Sequence, residues 1–349
     1  MLLYLHIPYC DSKCHYCSFN SYTHKHNTQK KYMQSICAQL QYELKRFKPF
    51  HRDIKTIFIG GGTPSTINPS YYQDFFSIIK PYLDPNAEIT AEANPNSATE
   101  LWMKGMKALG VNRLSFGVQS FDDEKLHNLG RAHNKIQAIE AINNAHIIGF
   151  EHISLDLIYN ARGDTKELLK KDIDTAFSLP IDHISAYELT IEDGTKFTDK
   201  DRQTNDSLAF FVAEEITKKG FAHYEISNFG AYQSRHNKGY WDLENYMGIG
   251  AGAVGFLNDT RLYPLTDIDG YIANPLDIQE ERLSAQEILT EKIFLGLRST
   301  IGIEISILPA HIRQKADFLV NSGKLAKSAT YYYNPNLFLS DEIALYLMD

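Results

Sequence analysis

Leu2-Leu-Tyr-Leu-His-Ile7-Pro-Tyr-Cys10-Asp-Ser-Lys-Cys14-His-Tyr-Cys17 sets an apolar run directly before a cysteine-rich loop. The run Leu2–Ile7 reads as a β-strand that stops at a proline. The loop holds three of the chain's four cysteines. Three thiols are too many for one disulfide and one short of a closed tetrahedral zinc site. A cubane iron–sulfur cluster normally takes four cysteines, so three leave one iron open to a small chelating ligand. If zinc were the occupant, His6, His15 or His24 could complete it. The fourth cysteine, Cys37, falls in helical register with Ile36, Leu40, Leu44 and Phe47 and reads as a small core residue.

The rhythm begun by that first strand continues. Strands are predicted at Leu2–Ile7, Ile54–Ile59, Glu88–Ala93, Arg113–Val118, His152–Ile158 and His183–Leu189. Helical segments fall between them, at Lys30–Phe47, Tyr71–Tyr82, Thr99–Leu109, Asp123–Leu129, Ile136–Ile148 and Thr165–Ser178. This alternation predicts an α/β fold, an incomplete, open (β/α)6 TIM-like barrel over residues 1–200 with its site at the C-terminal ends of the strands. Residues 201–283 read as a mixed linking region: a helix over Asp206–Lys219, then extended segments at Phe221–Phe229 and Met247–Phe256. Residues 284–349 read as a small winged-helix-like domain, with helices at Ala285–Leu297 and Ile307–Leu319 and a hairpin of Tyr331–Tyr333 with Leu337–Leu339.

Composition narrows the function classes. The 349 residues are 43% hydrophobic and 22% charged, with formal net charge -8. No basic excess favours nucleic acid. No run approaches the roughly 18 apolar residues of a membrane span. The N-terminal stretch lacks the basic leader and cleavage site of a signal peptide. The expected address is the cytoplasm, where thiols stay reduced. Aromatic content of 12% leaves room for a flat apolar ligand as well as a core.

The predicted strand ends carry polar groups. Strand two runs into Gly60-Gly61-Gly62-Thr63-Pro64, whose N–H groups are expected to meet a ligand's oxygens. Strand three ends in Glu92-Ala93-Asn94-Pro95, strand four in Gln119-Ser120, and strand five holds Asp156.

Taken together, Cys10-x3-Cys14-x2-Cys17, Gly-Gly-Gly-Thr-Pro, Glu-Ala-Asn-Pro, Gly-Val-Gln-Ser and Leu129-Gly-Arg-Ala-His133 resemble the radical S-adenosylmethionine (SAM) superfamily. Within it they are similar to the group of oxygen-independent coproporphyrinogen III oxidases and HemW-type heme chaperones. The resemblance covers nearly the whole chain. It implies a 4Fe–4S cluster on Cys10, Cys14 and Cys17, and SAM at the open iron. Tyr4, Gly61, Gly62, Thr63, Glu92, Gln119, Arg131, Asp156 and Ala186 would line the SAM pocket, with a carboxylate for the ribose and Arg131 for the ligand carboxylate. The chemistry implied is reduction of the sulfonium by the cluster to give a deoxyadenosyl radical.

Two features choose between the relatives. The oxidase carries a fourth cysteine two residues after the third, where this chain has Phe19. His236-Asn-Lys-Gly-Tyr240-Trp241 resembles the His-Asn-x-x-Tyr-Trp signature of the heme-binding branch. His236 is then the expected iron ligand, with Tyr240 and Trp241 offering flat faces. Implied with these are heme as ligand, hemoprotein acceptors including membrane-associated respiratory proteins, and a low-potential electron donor. The alternative is oxidative decarboxylation of coproporphyrinogen III. A histidine common in the branch is replaced by Val254, with His223 as a candidate substitute.

Overall fold

The computed structural model describes residues 1–203 and 205–349. Six parallel strands form its centre: β1 (Leu2–Ile7), β2 (Ile54–Gly61), β3 (Leu83–Ala93), β4 (Arg113–Gln119), β5 (His152–Tyr159) and β6 (His183–Glu188). The helices between them are α1 (Gln29–Phe47), α2 (Gln73–Ile79), α3 (Glu100–Ala108), α4 (Asp123–Asn128) and α5 (Lys135–Ile148); α6 (Lys166–Phe177) precedes β6. The predicted open barrel is therefore the observed architecture. The strand β3 begins five residues before its predicted start because Leu83 pairs with Ile54 across a register shift.

The sheet does not stop at six strands. Beyond β6 lie α7 (Asp206–Lys218), β7 (Ala222–Glu225), β8 (Asn228–Gly230) and α8 (Arg235–Trp241). The ribbon β9 (Tyr246–Ile249), β10 (Gly255–Leu257) and β11 (Thr260–Pro264) follows, then α9 (Ile268–Ala273) and β12 (Ile278–Arg282). The strand order is β12-β11-β10-β9-β1-β2-β3-β4-β5-β6-β8-β7. The strand β9 runs parallel to β1, while antiparallel strands finish both edges, so the barrel stays open. Each expected extended segment in this region is thus two strands. At 247–256 the break is at Gly250, with φ 120, where a Cβ would collide with the Tyr32 hydroxyl and the His6 carbonyl.

Side chains sort by strand alternation. Leu3, Leu5, Ile57, Ile59, Ile89, Ala91, Leu114, Phe116, Ile153, Leu155 and Ile184 belong to one buried cluster that includes the helix residues Ile36, Leu40, Met103 and Ile142. The intervening residues, such as Thr56, Glu88, Thr90, Arg113, Ser154 and His183, are buried but polar. The apolar core therefore lies between sheet and helices, while the interior of the barrel is polar. Enzyme barrels more often fill that interior with layers of branched apolar side chains.

The C-terminal segment has its own cluster of apolar residues, including Ile293, Leu297, Ile312, Leu319, Tyr332, Ile343 and Leu347. These come from α10 (Ala285–Leu297), α11 (Ala310–Asn321), α12 (Ser340–Met348) and a three-stranded sheet of β13 (Ile303–Glu304), β14 (Ala326–Lys327) and β15 (Tyr331–Tyr333). The partner of β15 in the hairpin is β14, and Leu337–Leu339 is a 3-10 turn rather than the predicted strand. The Asn336 side chain accepts from the Phe338 N–H and starts a helical turn that leads into α12.

Candidate functional site

The cysteine loop is fastened to the strand ends by a chain of side chains. The Cys10 thiol is buried, with Sγ 3.3 Å from Thr63 Oγ1. Asn94 Nδ2 donates to the same Thr63 oxygen at 3.1 Å. Arg131 Nη2 donates to Asn94 Oδ1 at 2.6 Å and to the Gly117 carbonyl at 2.5 Å. Its other arm, Nη1, reaches Cys14 Sγ at 3.1 Å and the Tyr16 hydroxyl at 3.4 Å. One network thus joins two of the three cysteines to the ends of β2, β3 and β4.

Two of the histidines that could complete a zinc site on the three thiols make other hydrogen bonds. Cys10, Cys14 and Cys17 are free thiols in one loop. His6, an expected fourth zinc ligand, has both ring nitrogens engaged, Nδ1 with the Tyr4 hydroxyl and Nε2 with the Asn20 carbonyl, each at 2.9 Å. His15 uses Nδ1 on the Asn128 carbonyl. Among the described residues no three His, Cys, Asp or Glu side chains, the three loop cysteines included, are gathered around one point. Cys37 stands apart on α1 against the outer core, where burial pushes its thiol up to about 11.

The glycine turn is arranged differently from the expectation. Gly61 N–H donates to Glu92 Oε2, Gly62 N–H to the Ile7 carbonyl and Thr63 N–H to the Tyr9 carbonyl. These three N–H groups are spent on the barrel itself and are not free for a ligand. Glycine is required here because Gly61 has φ 111 and a Cβ would strike the His6 ring.

The inner face above the polar floor carries Glu92, Ser115, Asp156, Ser185 and Tyr187. The register pairs Glu92 with Ser115 and Asp156 with Ser185. Burial pushes the Glu92 carboxyl up to about 8, helped by the Asp156 charge. Burial likewise pushes Asp156 up to about 6, against hydrogen bonding from Ser185 and the charges of Arg113 and Arg131. Two buried carboxyls thus face the same interior. Gln119 closes β4 with φ 70, an uncommon conformation for a side-chain-bearing residue. Ser120, its neighbour, faces away and donates to Asp172 at 2.6 Å, a structural cap. Ala186 sits in the outer core, so its side chain cannot line the barrel and only its backbone is near the interior.

His236 lies elsewhere than an exposed loop. It is in α8 and fully buried, with Nδ1 2.7 Å from Thr56 Oγ1 at the opposite end of β2 from the glycine turn. Its Nε2 has no partner. Burial lowers it to about 3, so the imidazole is neutral. Glu88 anchors the helix start, accepting from the Tyr232 hydroxyl and from the Arg235 and His236 N–H groups. Burial pushes Glu88 up, but the Arg113 charge and these donors outweigh it and hold its carboxyl below the ordinary value. Tyr240 stands edge-on to His236 with ring centroids 4.7 Å apart, and Trp241 ends the helix, half-buried.

Residues 4–176 match the Radical SAM superfamily. The heme chaperone HemW of Haemophilus influenzae is 38% identical, covering 99% of this chain and 98% of its own. HemW of Escherichia coli is 37% identical with the same coverage, and HemW of Lactococcus lactis is 35% identical over 86% of this chain and 82% of its own. The chain belongs to the HemW family. Coproporphyrinogen III oxidase (HemN) from Escherichia coli shares the fold, with TM-score 0.83, 18% identity, and coverage of 99% of this chain and 89% of that one.

For this HemW-family chain the sequence reading missed three supports of the site. Asn94 was seen only as part of a motif, yet it bridges Thr63 and Arg131. Phe197 packs beside Tyr16 and His15, ring centroids 6.4 and 6.0 Å away, and so shields the cysteine loop. Lys125 forms a buried pair with Asp164 at 2.7 Å and donates to the Ile158 carbonyl at 2.6 Å, tying the β4 and β5 loops. The signal for the interior was present: Glu88-Thr90-Glu92-Asn94 and Arg113-Ser115-Gly117-Gln119 alternate polar or small with apolar residues. His223 does not replace the missing histidine at Val254. It stacks on Phe229 at 4.2 Å and faces a groove with Phe210 and Phe338, whereas Val254 lines a cavity with Tyr4 and Tyr240.

Proposed function

We propose that this protein is a heme chaperone, which binds heme and passes it to acceptor hemoproteins while holding a 4Fe–4S cluster and SAM in its barrel. The near-full-length likeness to the curated HemW proteins carries this reading. Phe19 supports it, since an exposed phenyl ring stands where the oxidase has a fourth cysteine.

Cys10, Cys14 and Cys17 hold the cluster, and Arg131 and Thr63 orient and hydrogen-bond the first two sulfurs. The cluster and SAM, when bound, supply one-electron chemistry at a sulfonium centre. Tyr4, Gly61, Gly62, Thr63, Glu92, Gln119, Asp156 and the backbone of Ala186 form the SAM pocket. Arg131 Nε, buried and without a partner, is the group left to meet a ligand oxygen there. His236 ligates heme iron through its unpartnered Nε2, with Tyr240 and Trp241 beside it; its complete burial requires α8 to shift for ligation. Residues 1–200 carry the cluster site, 201–283 the heme motif, and 284–349 the cover of the heme end. The acceptors include membrane-associated respiratory hemoproteins, the electron donor is of low potential, and the compartment is the cytoplasm. No described helix is long and apolar enough to cross a membrane.

Heme titration of anaerobically reconstituted protein tests the reading. A saturable, stoichiometric Soret shift is expected in the wild type and not in His236→Ala. No shift in the wild type, with conversion of coproporphyrinogen, overturns it.

A second prediction follows from the carboxyls. Glu92, raised to about 8, is largely protonated at neutral pH, and Asp156 titrates at about 6. Cationic SAM favours both carboxylates, so binding releases protons. Affinity therefore rises with pH between about 6 and about 8 and levels off above that. Calorimetry in two buffers of different ionisation enthalpy reads the protons directly; pH-independent binding without proton release rejects the arrangement.

A further inference from the structure

A cavity of about 490 Å³ lies between the β9–β11 ribbon and α10, walled by Tyr4, Tyr240, Tyr246, Val254, Phe294 and, at its edge, Arg261. That volume is within the range of roughly 300–1,000 Å³ typical of ligand sites. Its position couples it to both centres already described. Tyr240 stands edge-on to His236 on one side and to Tyr246 on the other, each with centroids 4.7 Å apart. Tyr4 reaches from the cavity to His6, below the cysteine loop, through its hydroxyl.

The walls define what fits. Four aromatic rings and a valine offer flat apolar contact. The charged groups are Arg261 and Glu291, a pair that joins the ribbon to α10; both are about a quarter to a third exposed. Arg261 meets Glu291 through Nη2. A guanidinium is a fork of five donors, so the rest of it can take a second carboxylate without losing the first.

We propose that this cavity is where the macrocycle sits: a planar tetrapyrrole lies among Tyr240, Tyr246 and Phe294, with one of its carboxylate arms on Arg261. The inference rests on the heme reading above and adds the location and the anion contact; His236 lies behind Tyr240 and reaches the cavity only with the shift of α8 that ligation requires. Val254 lines the slot between these rings.

The test titrates cluster-loaded full-length protein with heme and with heme dimethyl ester, in wild type, Arg261→Gln and Val254→Phe. Loss of a charge-assisted contact predicts that esterification weakens wild-type binding by about tenfold or more. Arg261→Gln should bind both forms equally, at the weak level of the ester. Val254→Phe, which fills the slot, should weaken both forms by a similar factor, with normal cluster content as the check on folding. If Val254→Phe fails to load a cluster, the comparison of the two hemes in Arg261→Gln decides alone. Wild-type binding of heme that ignores esterification and both substitutions overturns the cavity while leaving the chaperone reading intact. Absence of heme binding in the wild type removes both.

Discussion

Replacing any one of Cys10, Cys14 or Cys17 by alanine is expected to reduce iron and acid-labile sulfide to background after anaerobic reconstitution, while Cys37→Ala retains the wild-type content. The expectation follows from placement. The three thiols share one loop fixed to the strand ends, whereas Cys37 is on α1 against the outer core. With two thiolates a cubane has half its usual protein ligands. Burial pushes the Cys10 and Cys17 thiols up, against hydrogen bonds and the charges of Arg131 and Lys13, and bound iron would favour the thiolates further. Iron and sulfide assays with electron paramagnetic resonance of the reduced protein read the result. Retention of a full cluster in Cys14→Ala, or its loss in Cys37→Ala, contradicts the assignment. Zinc bound stoichiometrically in place of iron contradicts it as well.

The second large effect is on stability. Lys125→Met is expected to cost about 3–5 kcal/mol, because removing one member of a buried ion pair strands the other charge. The side chains of Lys125 and Asp164 are 5% and 1% exposed. Burial raises the Asp164 carboxyl, and Lys125 together with the Ala161 N–H pulls it back down. Without the ammonium, the Ile158 carbonyl also loses its donor. The pair lies under a small apolar cluster of Leu129, Ile158, Ala161 and Leu189, against which Tyr16 and Phe197 pack. Loss of stability there should also loosen the cysteine loop, whose His15 N–H bonds the Leu129 carbonyl. Urea unfolding should show a lower midpoint at unchanged slope, and the reconstituted cluster should bleach faster in air. Adding Asp164→Asn should recover part of the loss by removing the stranded charge. A Lys125→Met midpoint within error of wild type would falsify the buried pair.

Much of the architecture was legible in the chain itself, for a local reason. The β1 boundaries Leu2–Ile7 and the α10 boundaries Ala285–Leu297 coincide with the sequence reading because apolar runs and caps such as Ser284 with Glu287 act over a few residues. The cysteine spacing is equally local. Errors came where a turn or a distant partner decided. The segment Leu337–Leu339 is apolar enough for a strand, but the Asn336 cap and the core contact of Ile343 and Leu347 make it the start of a helix.

Tertiary structure alone decided what faces what. Parallel alternation put Glu92 and Asp156 inside the barrel and Ala186 outside it, a distinction that turns on the register of neighbouring strands. It joined Thr63, Asn94 and Arg131 into one network across 68 positions of sequence, a contact no local pattern encodes. It also buried His236 beneath the barrel with one nitrogen on Thr56 and the other unpartnered. The sequence by itself determined the order of strands and helices and the three thiols that follow β1. Folding decided which buried polar groups would be paired and which left without a partner, because desolvation acts on position in space, not on position in the chain.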